Sequence, residues 1–321
     1  LSTDKRGLKY LDKSIHQIEI INTPKLNNIF FLPINLIIIL FLTLKSFFLL
    51  KNRKIEKVFS TGGYMSLPVI LAARFLKLHI FLIEPNQILG RANKYFLNYC
   101  KKIFCYTSDV KNFPDIFKNK MTVINPLVKK QIYELRSSNK SKDKFTLLVV
   151  GGSQGANIFD NNLKNSIVNI SKITSLRIIH QTSEKNIISL NNYYLKNNIE
   201  NKTFSFDKNF INYIHQADLC ITRAGASTLA ELSLMNIPFV AVPLPTAKDN
   251  HQLENASFYK DNNCCWIIHQ NIFEKKIEDF LKNILENDND YLQKKENLKK
   301  LNYQNTWINV NQKILKVINE N

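Results

Sequence analysis

Leu147-Leu148-Val149-Val150-Gly151-Gly152-Ser153-Gln154-Gly155-Ala156 is the stretch whose reading decides the fold. Four apolar residues read as a buried strand. The two glycines permit a sharp turn and close backbone approach, and a helix is expected to start near Gly155-Ala156. Strand, glycine turn and helix N-terminus together make an anion site. Free N–H groups and the helix dipole point at whatever sits there, and phosphate is the usual occupant. An ordinary βα turn with no ligand fits the same residues, so one loop does not settle the matter.

The loop has company. Only eight glycines occur in 321 residues, so each is informative. Gly62-Gly63 follow the apolar pair Val58-Phe59, and Gly225 follows Leu219-Cys220-Ile221. With Gly151, Gly152 and Gly155, six of the eight fall at expected strand-to-helix turns, where positive φ or close ligand approach calls for glycine. Three such turns favour a nucleotide-type ligand.

A chain of 321 residues is expected to form two domains. The net charge of +18, from 44 Lys+Arg against 26 Asp+Glu, implies an anionic partner: an acidic membrane surface or a phosphorylated substrate. Part of that charge reflects a composition rich in Lys, Asn and Ile. No aromatic-plus-basic RNA-binding signature is present, so nucleic acid is not an expected partner. Five cysteines without CxxC spacing read as reduced, buried thiols, and neither a metal site nor a cofactor is expected. No signal-peptide pattern precedes the fold. Leu1-Ser2-Thr3 reads as the tail of a strand, as though the chain began inside a fold.

After a short strand at 18–21 comes IFFLPINLIIILFLTLKSFFLL, residues 29–50, long and apolar enough to span a bilayer. A transmembrane helix, a buried crossover helix, and a helix packed on the sheet with surplus apolar surface on a membrane all fit. The third is favoured, with Lys51, Arg53, Lys54 and Lys57 able to meet anionic headgroups. Strands then follow at 57–60, 79–83, 103–106 and near 123–126, with helices between them. A linker with a short helix covers 129–144. The second set of strands lies at 145–150, 176–180, 202–206, 218–222, 238–242 and 264–268, and the chain is helical from Phe273. The expected fold class is α/β, with two doubly wound parallel-sheet domains facing across a cleft and ligands at the C-terminal ends of the strands.

Two further stretches carry chemistry. In Arg223-Ala224-Gly225-Ala226-Ser227-Thr228-Leu229-Ala230-Glu231, a helix start can hold a diphosphate through its N–H groups, Ser227 and Thr228. Glu231, on the first turn or so, can accept both hydroxyls of a ribose, although a surface acid favoured by the helix dipole would look the same. In Asp249-Asn250-His251-Gln252-Leu253-Glu254-Asn255-Ala256, residues His251, Gln252 and Asn255 suit hydrogen bonding to sugar hydroxyls; capping by Asp249 is the plainer reading.

In this order, these motifs resemble the MurG family, the UDP-N-acetylglucosamine:undecaprenyl-diphospho-muramoyl-pentapeptide N-acetylglucosaminyltransferases of peptidoglycan synthesis. Gly62-Gly63-Tyr64 and Glu84-Pro85-Asn86 resemble the family's acceptor-side loops, and Asn125-Pro126 its interdomain turn. The resemblance implies a GT-B fold, with an acceptor and membrane-facing domain over 1–126 joined by the C-terminal helix at 303–321, and a UDP-sugar domain over 127–302. It implies an inverting transfer of GlcNAc from UDP-GlcNAc to the muramoyl sugar of lipid I, giving lipid II, at the cytoplasmic face of the bacterial inner membrane, to which the enzyme is bound peripherally. Residue by residue, Ser153, Ala226, Ser227 and Thr228 would contact the donor diphosphate and Glu231 the ribose. Arg223 would lie near the base, and the backbone at Phe206-Asp207 would contact uracil. His251 and Gln252 would read the GlcNAc hydroxyls, and Asn86 would face donor or acceptor.

Three departures from the family pattern stand out. The N-terminal glycine loop, with its histidine near the acceptor hydroxyl, has no counterpart here. The loop after Glu84 reads Pro85-Asn86-Gln87. Val128, with Lys129 beside it, replaces an expected arginine. The expected catalytic base is therefore not identified, and Glu84 is a weak substitute. Another GT-B transferase with a lipid acceptor, or a catalytically impaired UDP-sugar-binding fragment, remain the alternatives.

Overall fold

The computed structural model describes residues 1–321 except 6, 12, 13, 15, 25–28, 137–143, 153–156, 209 and 321. The chain divides into two compact units, Leu1–Ile124 with Lys313–Asn321, and Asn125–Gln312. Both are alternating α/β structures whose described strand pairs are all parallel.

The first unit opens on β1 (Ser2–Thr3), which pairs with β2 (Glu19–Ile20) in a two-stranded sheet. Next come α1 (Leu32–Asn52), β3 (Lys57–Ser60), α2 (Leu67–Phe75), β4 (His79–Glu84), α3 (Arg91–Phe96), β5 (Lys102–Cys105) and β6 (Met121–Val123). β3 to β6 lie side by side in chain order. Their near-continuous apolar runs follow from burial on both faces. Ile80, Leu82, Ile103 and Cys105 pack with Leu50, Ile70 and Leu97. Phe81 and Phe104, which alternate with them, are also buried, and Phe104 stacks on Phe59 at 5.7 Å.

α1 is not the buried crossover helix that was one of the three readings. Only Ile39, Thr43, Ser46 and Leu50 are buried, at the four- and three-residue spacing of a single helix face. Thr43 and Ser46 return their hydroxyls to the carbonyls of Ile39 and Leu42 at 2.8 Å, so small side chains can line the packed face without orphaned polar atoms. Ile34, Ile37, Leu40, Phe41, Leu44 and Phe48 are exposed. By length and composition α1 could cross a membrane, with a mean hydropathy of 2.1 and only 17% of that window buried.

The second unit begins with α4 (Lys130–Leu135) and β7 (Phe145–Val150). It continues through α5 (Asn157–Asn162), α6 (Lys164–Ser171), β8 (Leu176–Gln181), α7 (Ile187–Lys196), β9 (Glu200–Phe204), α8 (Phe210–Gln216), β10 (Leu219–Thr222), α9 (Ala226–Leu234), β11 (Phe239–Ala241), α10 (His251–Asp261), β12 (Cys265–Ile267), α11 (Phe273–Glu286) and α12 (Asp288–Leu301). α13 (Trp307–Glu320) starts in this unit and ends in the first. The sheet order is β12-β11-β10-β7-β8-β9. Leu148 and Val150 face one core, Leu147 and Val149 the other, so helices cover both faces. β9 starts two residues before the expected 202–206. Its pairing with β8, from Arg177↔Glu200 to Gln181↔Phe204, sets the register, and Glu200 is held by Lys144 and Arg177 at 2.9 and 3.2 Å. The five cysteines are free and buried.

Candidate nucleotide-sugar site

The strand order of the second unit reverses between β7 and β10. In open parallel sheets the ligand lies beyond the carboxyl ends of the strands at such a switch point. The glycine turn Gly151-Gly152 leaves β7 there, and Arg223-Ala224-Gly225 leaves β10. Gly152 has φ +78°, a conformation that costs a residue with a Cβ roughly 1 kcal/mol or more. Ser153 and the expected helix start at Gly155-Ala156 fall outside the described residues.

α9 starts on Gly225, whose extended backbone offers no side chain to cap the helix. Among the described residues no side chain caps the N–H groups of the first turn, at Ala226, Ser227 and Thr228, and Ser227 is exposed. Glu231 stands on the second turn rather than the first, four residues after Ser227 and three after Thr228, hence on their face of the helix. From there it gains little from the dipole, which acts within the first turn, so the surface-acid reading loses its physical basis. Among the described residues its carboxylate has no hydrogen-bond partner, and burial pushes its pKa up from 4.5 to about 7, against a smaller lowering by Lys129.

Arg223 is committed to the protein. Its guanidinium donates to the carbonyls of Val242 and Pro243 at 3.0 and 3.4 Å and to Gln270 Oε1 at 2.7 Å, and it lies 5.4 Å from the Phe159 ring centre. It clamps the ends of β10 and β11, and burial lowers its pKa. Asn255 is also structural: its Nδ2 donates to the Ala224 carbonyl at 3.1 Å and ties α10 to the turn before α9.

Among the described residues no side chain caps α10. Asp249 and Asn250 both have φ of 54°, and Asn250, not Asp249, stands at the N-cap. His251 Nδ1 lies 2.7 Å from the Lys248 carbonyl. Gln252 accepts from the Leu244 N–H at 2.9 Å through Oε1, which leaves its Nε2 without a partner among the described residues. At Phe206-Asp207, Phe206 is exposed and Asp207 accepts from the Tyr213 hydroxyl at 2.6 Å.

In the first unit, Glu84 ends β4 with its carboxylate fully engaged. Oε1 accepts from the Asn86 N–H and Nδ2 at 3.1 and 2.9 Å, and Oε2 from the Gly90 N–H and Asn93 Nδ2 at 2.8 and 2.9 Å. At 2% exposure, that geometry makes Glu84 the anchor of the 84–93 loop and speaks against its use as a base. Asn86 is part of this anchorage. Asn93, which the sequence reading missed, donates also to the Ile83 carbonyl at 3.1 Å, and a Cβ at Gly62 would overlap its amide. Gly62, with φ +77°, is thus fixed both by conformation and by close approach.

Gln181, at the end of β8, was missed as well: its Oε1 accepts from the Gly152 N–H at 3.1 Å. No sequence motif signals either residue; only strand adjacency brings them to the turns.

Two parallel α/β units, one with the dinucleotide-fold strand order and an uncapped helix start at its switch point, define the class of two-domain nucleotide-sugar enzymes. Models of the glycosyltransferase family 28 N-terminal and C-terminal domains match residues 1–105 and 146–306. A relative from Pelagibacter ubique (strain HTCC1062), a UDP-N-acetylglucosamine--N-acetylmuramyl-(pentapeptide) pyrophosphoryl-undecaprenol N-acetylglucosamine transferase, is 48% identical over 323 residues, covering 100% of this chain and 91% of its own length. The crystal structure of Acinetobacter baumannii MurG superposes with a TM-score of 0.73 at 23% identity over 100% of this chain and 90% of that one. That of UDP-GlcNAc 2-epimerase from Neisseria meningitidis bound to UDP-GlcNAc gives 0.65 at 14% identity, covering 100% and 90%. The chain belongs to glycosyltransferase family 28, with the GT-B architecture expected from its motifs.

Proposed function

We propose that this protein transfers GlcNAc from UDP-GlcNAc to the muramoyl sugar of lipid I, forming lipid II. One observation carries the donor half: among the described residues, a helix start without a side-chain cap at the sheet's switch point, with an unpartnered carboxylate one turn further on. The similarity to the Pelagibacter transferase, over 91% of that relative's length, supplies the acceptor.

In this reading the N–H groups at Ala226, Ser227 and Thr228, with Ser153, take the diphosphate, and Glu231 takes the ribose diol in a two-pronged pair. The backbone near Phe206-Asp207 meets uracil, and Gln252, with His251, reads sugar hydroxyls. Arg223 acts by holding strand ends rather than by touching the base. The acceptor hydroxyl attacks the anomeric carbon from the face opposite UDP. The C1–O bond to the diphosphate breaks, its electron pair leaves with UDP, and the hydroxyl proton passes to a base. The helix start stabilises the charge that develops on the leaving diphosphate.

The exposed apolar side chains of α1 dock this enzyme on a membrane face. Of the four following cations, Arg53 is paired with Glu19 at 2.5 Å and Lys57 is bonded to the Ile318 carbonyl. Lys51 and Lys54 remain exposed for anionic headgroups, each contributing about 1 kcal/mol near such a surface.

Radiolabelled GlcNAc transfer to a lipid I analogue tests the activity. Label in the lipid product is expected, and none, with UDP-GlcNAc bound normally, would refute the acceptor assignment. Ile37→Glu with Phe41→Glu is expected to abolish flotation with anionic vesicles while UDP binding is kept.

A further inference from the structure

β8 lies between β7 and β9 in the sheet, and Gln181 is its last residue. Its side-chain amide reaches both neighbours. Oε1 accepts from the Gly152 N–H, in the turn after β7, at 3.1 Å. Nε2 donates to the Ser205 carbonyl, in the turn after β9, at 3.1 Å. A main-chain donor on one side and a main-chain acceptor on the other fix the amide's orientation. They also specify the residue type. Aspartate and asparagine are one methylene shorter. Glutamate would set a second oxygen against the Ser205 carbonyl. Methionine fills the space but makes neither bond.

The strand end beneath is held rigid. Adjacent His180 is fully buried, with Nδ1 2.9 Å from the Tyr194 hydroxyl and Nε2 3.4 Å from Asp160 Oδ1. Asp160 Oδ2, on α5, accepts from the Thr182 hydroxyl at 2.6 Å and from Asn186 at 2.8 Å. The main chain at Thr182 donates to the Phe204 carbonyl at 2.8 Å. Gln181 therefore projects from a braced strand end and bonds to both turns.

We propose that Gln181 is a positioning residue for the nucleotide: it sets the spacing between the glycine turn that meets the diphosphate and the 205–207 turn that meets uracil. The inference rests on the donor assignment made above. It touches neither phosphate nor base itself; it acts through Gly152 and Ser205.

The test is UDP titration calorimetry on the full chain, comparing wild type with Gln181→Glu and Gln181→Met from pH 8 to pH 5. At pH 8 both variants are expected to bind UDP roughly tenfold more weakly, the scale of one lost hydrogen bond to a main-chain group. On acidification the deficit of Gln181→Glu should close, because a protonated carboxyl, like the amide, offers one acceptor and one donor; the deficit of Gln181→Met should persist. His180, Asp160 and Asp207 nearby, and Glu231 with its pKa raised to about 7, are common to all three proteins, so the variant-to-wild-type ratio is the quantity read. A merely structural role would not reproduce that pH-dependent rescue. Wild-type-like affinity in both variants, or a Gln181→Glu deficit that is the same at every pH, overturns the proposal. Failure of the wild type to bind UDP overturns the donor assignment instead, which keeps the two readings separable. Methionine matches glutamine in length and volume, so its variant reports even where the carboxylate disturbs folding.

Discussion

Glu84 and Glu231 are two carboxylates at the C-terminal side of parallel sheets, one in each unit, and their surroundings are opposite. Glu84 is 2% exposed and receives four hydrogen bonds from Asn86, Gly90 and Asn93. Glu231 is half-buried and receives none from the described residues, and its pKa rises to about 7. A buried carboxylate is stable when donors surround it and costly when they do not. The first unit has spent its carboxylate on holding a loop. The second keeps one unsatisfied beside an uncapped helix start, which is the condition of a group waiting for a ligand's hydroxyls.

The sharpest way to break this contrast is Glu231→Ala. Removing two charge-assisted hydrogen bonds to the ribose should weaken UDP binding by about 2–3 kcal/mol, roughly 30- to 150-fold, with the melting temperature unchanged or raised. Titration calorimetry reads it, and unchanged affinity would erase the difference between the two acids.

Glu84→Ala should do the reverse. It strands the Gly90 N–H and the Asn86 and Asn93 amides, and should cost about 2 kcal/mol of stability in the first unit, seen in chemical denaturation, while UDP affinity stays within twofold of wild type. A loss of affinity without a loss of stability would return Glu84 to the site.

The smallest effect is the pH dependence. Glu231 has its folded pKa raised from 4.5 to about 7, so the folded state holds the proton more tightly than the unfolded chain. This group's contribution to stability is therefore greatest below pH 4.5 and is lost as pH rises through about 7. Ribose binding needs the ionised form, so UDP affinity should rise from pH 6 to pH 8, by less than tenfold. Glu231→Gln should flatten both slopes relative to wild type. A wild-type affinity indifferent to pH across that window would place the ribose elsewhere.

Much of this was legible in the residues. The glycine turns at 62–63 and 151–152 could be found because positive φ at Gly62, Gly63 and Gly152 excludes most other side chains, whereas Gly225, with φ −72° and open space around it, was found by its place between an apolar strand and a helix; the alternation of apolar strands with helices fixed the parallel α/β class. Glu231 and the helix start at Ala226 were identified as chemistry, but its place on the second turn, which removes the dipole explanation, required the helix boundary. The roles of Arg223, Asn255, Gln181 and Glu84 were illegible or misassigned. Each is defined by partners 2 to 47 residues away in sequence, chosen by which strand ends lie side by side.

Local order, then, was written in the sequence itself, because backbone sterics and apolar periodicity act over a few residues. It determined where the strands turn, which turns can accept an anion, and that α1 carries more apolar surface than one face can bury. Only the tertiary structure decided which polar side chains are consumed as braces and which are left with open valences. That choice depends on the strand order that brings β7, β8 and β9 together and on the donors that converge on Glu84 but not on Glu231.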